Sequence, residues 1–243
     1  MEKEINIKTT DNHLIYGTLN ELKRPDKLII FVHGLTGDRN EHLFYNASKF
    51  FPKRGYATFR FDLYSGEKKG RSLSKCTIKL HAQDLNQVIT HFKKKFKKLF
   101  LVGHSFGGVT ILLSDTSKSH GIVLWDPSCN LGEGLIGIDK YCKYNRCLDA
   151  YIFQWGTEYI IGKKMYEEWK GFLGPQELMK KVHKPIKIIC AGKGVLVKGG
   201  KEYFKHANEP KAFAIINQAG HNFDEERVEE KLFQETLSWI KKY

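Results

Sequence analysis

The spacing of apolar positions changes character once along the chain. INIKT and LIYGTLN, at 5–9 and 14–20, alternate apolar and polar residues around a DNH turn. Alternation predicts strands with one wet face, as at the antiparallel edge of a sheet. From Lys27 onward the apolar runs become continuous: KLIIFV, ATFRFD, LFLVG, GIVLWD, IKIIC and AFAIIN. Continuous runs of this length fit strands buried on both faces of a parallel sheet. Between them lie segments with helical period: EHLFYNASKFFPKRG, KCTIKLHAQDLNQVITHFKKKF, SFGGVTILLSDT, a short helix near 200–207, and a last helix in EERVEEKLFQETLSWIKKY. The alternation predicts right-handed βαβ crossovers and a mostly parallel sheet with helices on both faces. Ligands of such sheets bind beyond the carboxyl ends of the strands.

The rhythm breaks over 128–183, glycine-rich in SCNLGEGLIGIDK and aromatic-rich in YIFQWGTEYIIGKKMYEEWKGF. This segment reads as a small helical cap inserted between two parts of one core, 1–127 and 184–243. The 243 residues, 41% hydrophobic and 13% aromatic, are enough for that single core.

Charge alters the picture little. The formal net charge is +13, with one dense run, HFKKKFKKLF at 91–100. The run reads as the solvated end of a helix, and no nucleic-acid motif accompanies it, so no nucleic-acid partner is expected. A nucleic-acid function would show steep salt dependence. Five cysteines at scattered positions (76, 129, 142, 147 and 190) lack zinc-ligand spacing. They read as reduced thiols of a cytoplasmic protein, and no metal or cofactor is expected. The N-terminal residues MEKEINIKTTDNH contain no apolar signal region, and no 18-residue apolar stretch predicts a membrane span. A homo-oligomer is compatible with the sequence.

Chemistry gathers at the strand ends. The loop after LFLVG carries Gly103-His104-Ser105-Phe106-Gly107, a G-x-S-x-G pattern between a strand and a helix. A serine lifted clear of a sheet needs a tight, strained turn. Side chains two residues before and after it would strike the neighbouring helix and strand, so both positions favour glycine. At the helix N-terminus, the Phe106 N–H and the helix dipole favour developing negative charge. Serine needs a base. His221, in QAGHNF after AFAIIN, lies in a loop over the same sheet edge. KLIIFV leads into HGLTGDRNEH, where the Leu35 N–H is placed to pair with that of Phe106 as an oxyanion hole.

HGLTGDRNEH, FRFDLYSGEKKGRS, GHSFGG and QAGHNF, in this order, resemble the α/β-hydrolase superfamily. Within it they are similar to serine carboxylesterases of the cinnamoyl and feruloyl esterase and monoacylglycerol lipase type. The resemblance implies an eight-stranded sheet, a Ser–His–acid triad and hydrolysis of esters through an acyl-enzyme. It carries over Ser105 as nucleophile, His221 as base, and Leu35 and Phe106 as oxyanion donors. Asp62 and Gly66 match a turn with which the family braces the site.

The same resemblance places the triad acid after the IKIIC strand, a few residues past a glycine. Here the loop reads Gly192-Lys193-Gly194-Val195-Leu196-Val197 and holds no carboxylate. Three alternatives follow. Asp126, at the tip of GIVLWD, preserves the chain order Ser, acid, His, although an aspartate before Pro127 is also ordinary turn chemistry. Glu202, or Asp139 or Asp149 of the cap, could fold in. Or the chain works with a Ser–His dyad, or only binds, since an imidazole without its acid loses tautomer control.

The substrate would lie between strand tips and cap. His33, Gly34, Trp125 and Trp155 are candidate contacts, and Phe106, Tyr151, Phe153 and Tyr159 are further aromatic walls. Such a pocket suits a small-molecule ester with a hydrophobic or aromatic acyl group. A thioesterase, peptidase or acyltransferase would use the same residues.

Overall fold

The computed structural model describes residues 2–23, 25–135 and 137–243. The chain opens with β1 (Glu2–Lys8), β2 (Leu14–Asn20) and β3 (Lys27–Val32), followed by α1 (His42–Phe50), β4 (Ala57–Phe61), α2 (Ile78–Phe92), β5 (Lys98–His104), α3 (Phe106–Leu113) and β6 (Gly121–Trp125). The insertion holds β7 (Cys142–Asn145), β8 (Ala150–Trp155), β9 (Thr157–Ile161), α4 (Lys163–Lys170) and α5 (Pro175–Met179). The chain closes with β10 (Ile186–Ala191), α6 (Val197–His206), β11 (Lys211–Ile216) and α7 (Val228–Ile240).

Eight strands form one sheet in the order β1-β2-β4-β3-β5-β6-β10-β11. The alternating pair β1 and β2 is the antiparallel edge, and β2 joins β4 antiparallel. The continuous apolar strands pair in parallel. Their burial follows from the pleat: successive side chains point to opposite faces, and both faces are covered. Ile29, Phe31, Val102 and Trp125 pack toward α1 and α7. Leu28, Ile30, Val32 and Leu101 pack in the core that includes α2, α3 and Tyr203 of α6.

The register aligns the strand tips. Val32 of β3 stands beside Gly103 of β5, His104 beside Trp125 of β6, and Trp125 beside Ile189 of β10. Ala191 pairs with Ile216 of β11. The loops carrying Leu35, Ser105, Asp126, Gly194 and His221 therefore leave one edge of the sheet.

The insertion departs from the helical expectation. β7, β8 and β9 form a three-stranded antiparallel sheet, and the helices α4 and α5 and a short 3-10 turn at Ile138–Lys140 accompany it. AYIFQW and TEYII are rich in aromatic and β-branched residues, which favour a pleated surface over a helix. Gly156, at φ 70°, turns β8 into β9. The cap packs on the core through Trp169, whose ring lies 5.7 Å from Phe106 and 5.5 Å from Phe153. A second difference concerns α6, which begins at Val197 rather than near 200. Glycine is a poor helix former, but a Cβ at Gly200 would overlap Cys190 Sγ of β10. The glycine lets this helix lie close against the sheet.

Candidate active site

Ser105 sits at the tip of β5 as the N-cap of α3, with φ 53° and ψ −119°. A non-glycine residue there is strained and must be held in place by its surroundings. Ser105 N–H donates to the Trp125 carbonyl at 2.9 Å, and the Ser105 carbonyl accepts from Gly108 N–H at 3.1 Å and Ser128 N–H at 3.2 Å. The flanking glycines are demanded by contact. A Cβ on Gly103 would stand 2.6 Å from the Gly107 carbonyl oxygen in the helix. One on Gly107 would overlap the Val32 oxygen of β3 and stand 2.6 Å from that of His33.

His221 lies in the loop after β11. Its Nδ1 is 2.6 Å from Asp126 Oδ2. Asp126 is fully buried and leaves β6 with φ 41°, outside the usual range for aspartate. Its N–H donates to the Ile189 carbonyl at 2.7 Å, and its Oδ1 accepts from Ala191 N–H at 3.1 Å. The loop without a carboxylate lies against this acid: a Cβ on Gly194 would be 3.3 Å from Asp126 Oδ2. The other acids are engaged elsewhere. Asp139 bonds Tyr166 and pairs with Lys170, Asp149 bonds Tyr144 and pairs with Lys163, and Glu202 pairs with Lys205 and His206.

His104, the residue before the serine, ties the two halves together. Its Nε2–H donates to the His221 carbonyl at 2.8 Å, and the two rings are 4.7 Å apart. Burial, with His221 beside it, pushes the His104 imidazole down to about 3, so it stays neutral, and the carbonyl acceptor fixes its one proton on Nε2.

Ser105 and His221 line one cavity of about 760 Å³ under the cap, together with Leu35, Ser128, Phe153 and Trp155. Among the described residues no protein acceptor takes the backbone N–H of Leu35 or of Phe106.

Not every expected contact reaches the cavity. Gly34 and Trp155 line it. Trp125 does not: it faces the opposite side of the sheet, and its Nε1–H donates to Thr236 Oγ1 at 2.9 Å. Its position on β6 points it to the α1 and α7 face, which the pleat fixes. His33 is also buried away from the cavity. It accepts Leu63 N–H at Nε2 (2.9 Å) and donates from Nδ1 to the Gly34 carbonyl (2.7 Å), bracing the loop that carries Leu35. Phe106 offers its backbone, while its ring packs on Trp169 and His81. Tyr151 stacks on Tyr166 within the cap. Asp62 accepts the Arg39 N–H and guanidinium at 2.8 and 2.6 Å and so holds the HGLTGDRNEH loop against β4.

Of the cavity residues that the sequence reading did not name, three stand closest to the chemistry or the acyl wall. Tyr141 faces the cavity beside Trp155, 5.0 Å between rings. Glu41 lines it with a carboxyl raised to about 7 by burial and by Asp38. Ser128 brings its Oγ to 3.3 Å from Ser105 Oγ. Glu41 belongs to the motif HGLTGDRNEH, which was its available signal; a serine after Asp-Pro carries none. Among the described residues no cluster of three metal-ligating side chains gathers, and no helix is long and apolar enough to cross a membrane.

A mainly parallel eight-stranded sheet, a strained serine at the tip of its fifth strand and a histidine loop over the same edge define an α/β hydrolase. The profile of the family described as "Serine aminopeptidase, S33" matches residues 23–159, more than half of the chain. The chain belongs to this α/β-hydrolase family. Solved structures share the fold. Est1E of Butyrivibrio proteoclasticus with bound ferulic acid superposes with TM-score 0.78 at 18% identity, over 98% of this chain and 99% of that one. The esterase domain of a Rhodothermus marinus protein gives 0.77 at 16%, over 100% and 99%. The Pyrococcus furiosus esterase Pf2001 gives 0.74 at 19%, over 100% and 91%. No curated protein matches the sequence.

Proposed function

We propose that the chain is a serine carboxylesterase acting through Ser105, His221 and Asp126. One observation carries the reading: an imidazole bonded through Nδ1 to a fully buried carboxylate, in the same cavity as a serine on a strained turn. With Nδ1–H donated to Asp126, Nε2 is the nitrogen left to take the Ser105 proton. Ser105 Oγ attacks the ester carbonyl, and the carbonyl pair moves onto an oxygen held by the Leu35 and Phe106 N–H groups. Each such donor contributes about 3 kcal/mol at the transition state. The imidazolium returns the proton to the departing alcohol. Water then cleaves the acyl-enzyme by the same route.

The cap supports an aromatic or apolar acyl group, since Tyr141, Phe153 and Trp155 line the cavity. The ferulic acid bound to Est1E, a structural relative, fits the same preference. The serine aminopeptidase description of the family favours amide cleavage as a second reading. All five cysteines are free thiols, which supports a reducing, cytoplasmic location.

The test is hydrolysis of p-nitrophenyl acetate and p-nitrophenyl cinnamate against an aminoacyl p-nitroanilide, in wild type and Ser105→Ala. The reading expects ester turnover that Ser105→Ala abolishes. Turnover of the anilide alone would transfer the site to the peptidase reading. Turnover retained by Ser105→Ala would discard the triad.

A further inference from the structure

The turn after β6 delivers a second hydroxyl to the nucleophile. Asp126 meets His221, and two residues later Ser128 lies over the Ser105 elbow. Two backbone bonds hold it there. Ser128 N–H donates to the Ser105 carbonyl at 3.2 Å, and the Tyr203 hydroxyl donates to the Ser128 carbonyl at 2.9 Å. Neither bond uses the Ser128 side chain, so they persist whatever that side chain is. The residue is 1% exposed, yet it lines the catalytic cavity. Among the described residues its Oγ has one hydrogen-bond partner, Ser105 Oγ at 3.3 Å.

A buried hydroxyl is costly unless it is bonded, and packing alone would be met as well by alanine. Ser105 Oγ gathers negative charge as it loses its proton to attack and again as it leaves the acyl carbon. We propose that Ser128 is a further catalytic residue, whose hydroxyl donates a hydrogen bond to Ser105 Oγ as that oxygen attacks and again as it leaves. The inference rests on the esterase reading and adds a member to its site.

In acylation, Ser105 Oγ bonds to the acyl carbon while its proton passes to His221 Nε2. The carbonyl pair moves to the oxygen facing Leu35 and Phe106, then returns as the bond from the acyl carbon to the alcohol oxygen breaks and the imidazolium gives that oxygen its proton. Ser128 O–H donates to Oγ while it is losing its proton. In deacylation, water bonds to the acyl carbon and gives its proton to His221. The carbon–Oγ bond then breaks, its electron pair goes to Oγ, and the imidazolium supplies the proton. Ser128 O–H donates to Oγ while the pair arrives. Ser128 itself forms no covalent bond and keeps its proton throughout. In the resting site the same donation leaves the Ser105 proton free to turn toward the imidazole.

The experiment compares Ser128→Ala, Ser128→Cys and Ser128→Thr with wild type. Stopped-flow hydrolysis of p-nitrophenyl acetate separates the acylation burst from the deacylation-limited steady state, and thermal melts check the fold. A hydrogen bond to a charged atom predicts a loss of about 10- to 100-fold in both phases for Ser128→Ala and Ser128→Cys. The thiol is a weak donor and fills the same space, so it separates donation from packing. Ser128→Thr keeps a hydroxyl and recovers most of the rate. The apparent pKa of the rate profile stays at the wild-type value, because the Asp126–His221 pair is untouched. Wild-type or faster rates in Ser128→Ala, or a loss in one phase only, overturn the inference. A wild type that turns over no ester and takes up no fluorophosphonate removes the esterase reading itself, and this role with it.

Discussion

Replacing Asp126 by asparagine exchanges one oxygen for an amide nitrogen in a site with no room to rearrange. Asp126 is fully buried, and its two oxygens have different duties. Oδ1 accepts the Ala191 N–H at 3.1 Å, and Oδ2 faces His221 Nδ1 at 2.6 Å. An asparagine must keep its carbonyl on Ala191, since turning the amide would set two donors against each other and bury one unpaired, at about 1–3 kcal/mol. Its NH₂ then faces His221. The imidazole has to accept at Nδ1 and carry its proton on Nε2, the nitrogen that should receive the Ser105 proton. The side chain keeps its volume, so the fold should survive. The expected loss in kcat is about 10⁴-fold, near 5.5 kcal/mol of transition-state stabilisation. The assay is p-nitrophenyl acetate hydrolysis from pH 5 to 9, with melting curves for each protein. Asp139→Asn, Asp149→Asn and Glu202→Gln serve as controls and should retain wild-type rates. Asp126→Asn turning over within tenfold of wild type would refute the reasoning.

Gly107→Ala should lower Tm by about 10 °C or more, because its methyl overlaps the Val32 carbonyl and neither backbone can yield; an unchanged melting curve would count against the elbow packing. His81 is buried between Tyr64 and Phe106, among the described residues neither of its ring nitrogens is hydrogen-bonded, and burial holds it at about 3 against an ordinary 6.5. Its contribution to stability is therefore present above pH 6.5 and is lost as pH falls toward 3. His81→Leu should stabilise by about 1–2 kcal/mol at pH 7 and by more at pH 5, read from urea unfolding; equal gains at both pH values would contradict the assignment. Trp155→Ala should raise KM for p-nitrophenyl cinnamate about tenfold and leave the acetyl ester unchanged; equal effects on both would remove Trp155 from the acyl site.

Much of this architecture was legible in the sequence because it depends on local pattern. Each of the eight strands of the main sheet overlaps one of the alternating or continuous runs, and the change from alternating to continuous patterning marks where the antiparallel edge gives way to the parallel middle. The two glycines around Ser105 were also predictable, since the strain of one turn dictates them. What was illegible depends on which elements become neighbours. Trp125 was expected over the cavity, but the pleat of β6 turns it to the far face. The expected helical cap is largely a small sheet, because the aromatic and β-branched residues of β8 and β9 pair as strands. Asp126 is the acid that strand-tip position and chain order favour over Asp139, Asp149 and Glu202, but its contact with His221 depends on β6, β10 and β11 lying side by side. Ser128 had no signal, because its meaning arises only where the turn after β6 crosses the end of β5.

The most direct measurement is mass spectrometry of the intact and digested chain after exposure to a fluorophosphonate probe. The account predicts one adduct per chain, on Ser105, formed rapidly in wild type, far more slowly in His221→Ala, and not at all in Ser105→Ala. A folded wild-type chain that takes up no probe, or an adduct on another residue, would contradict it.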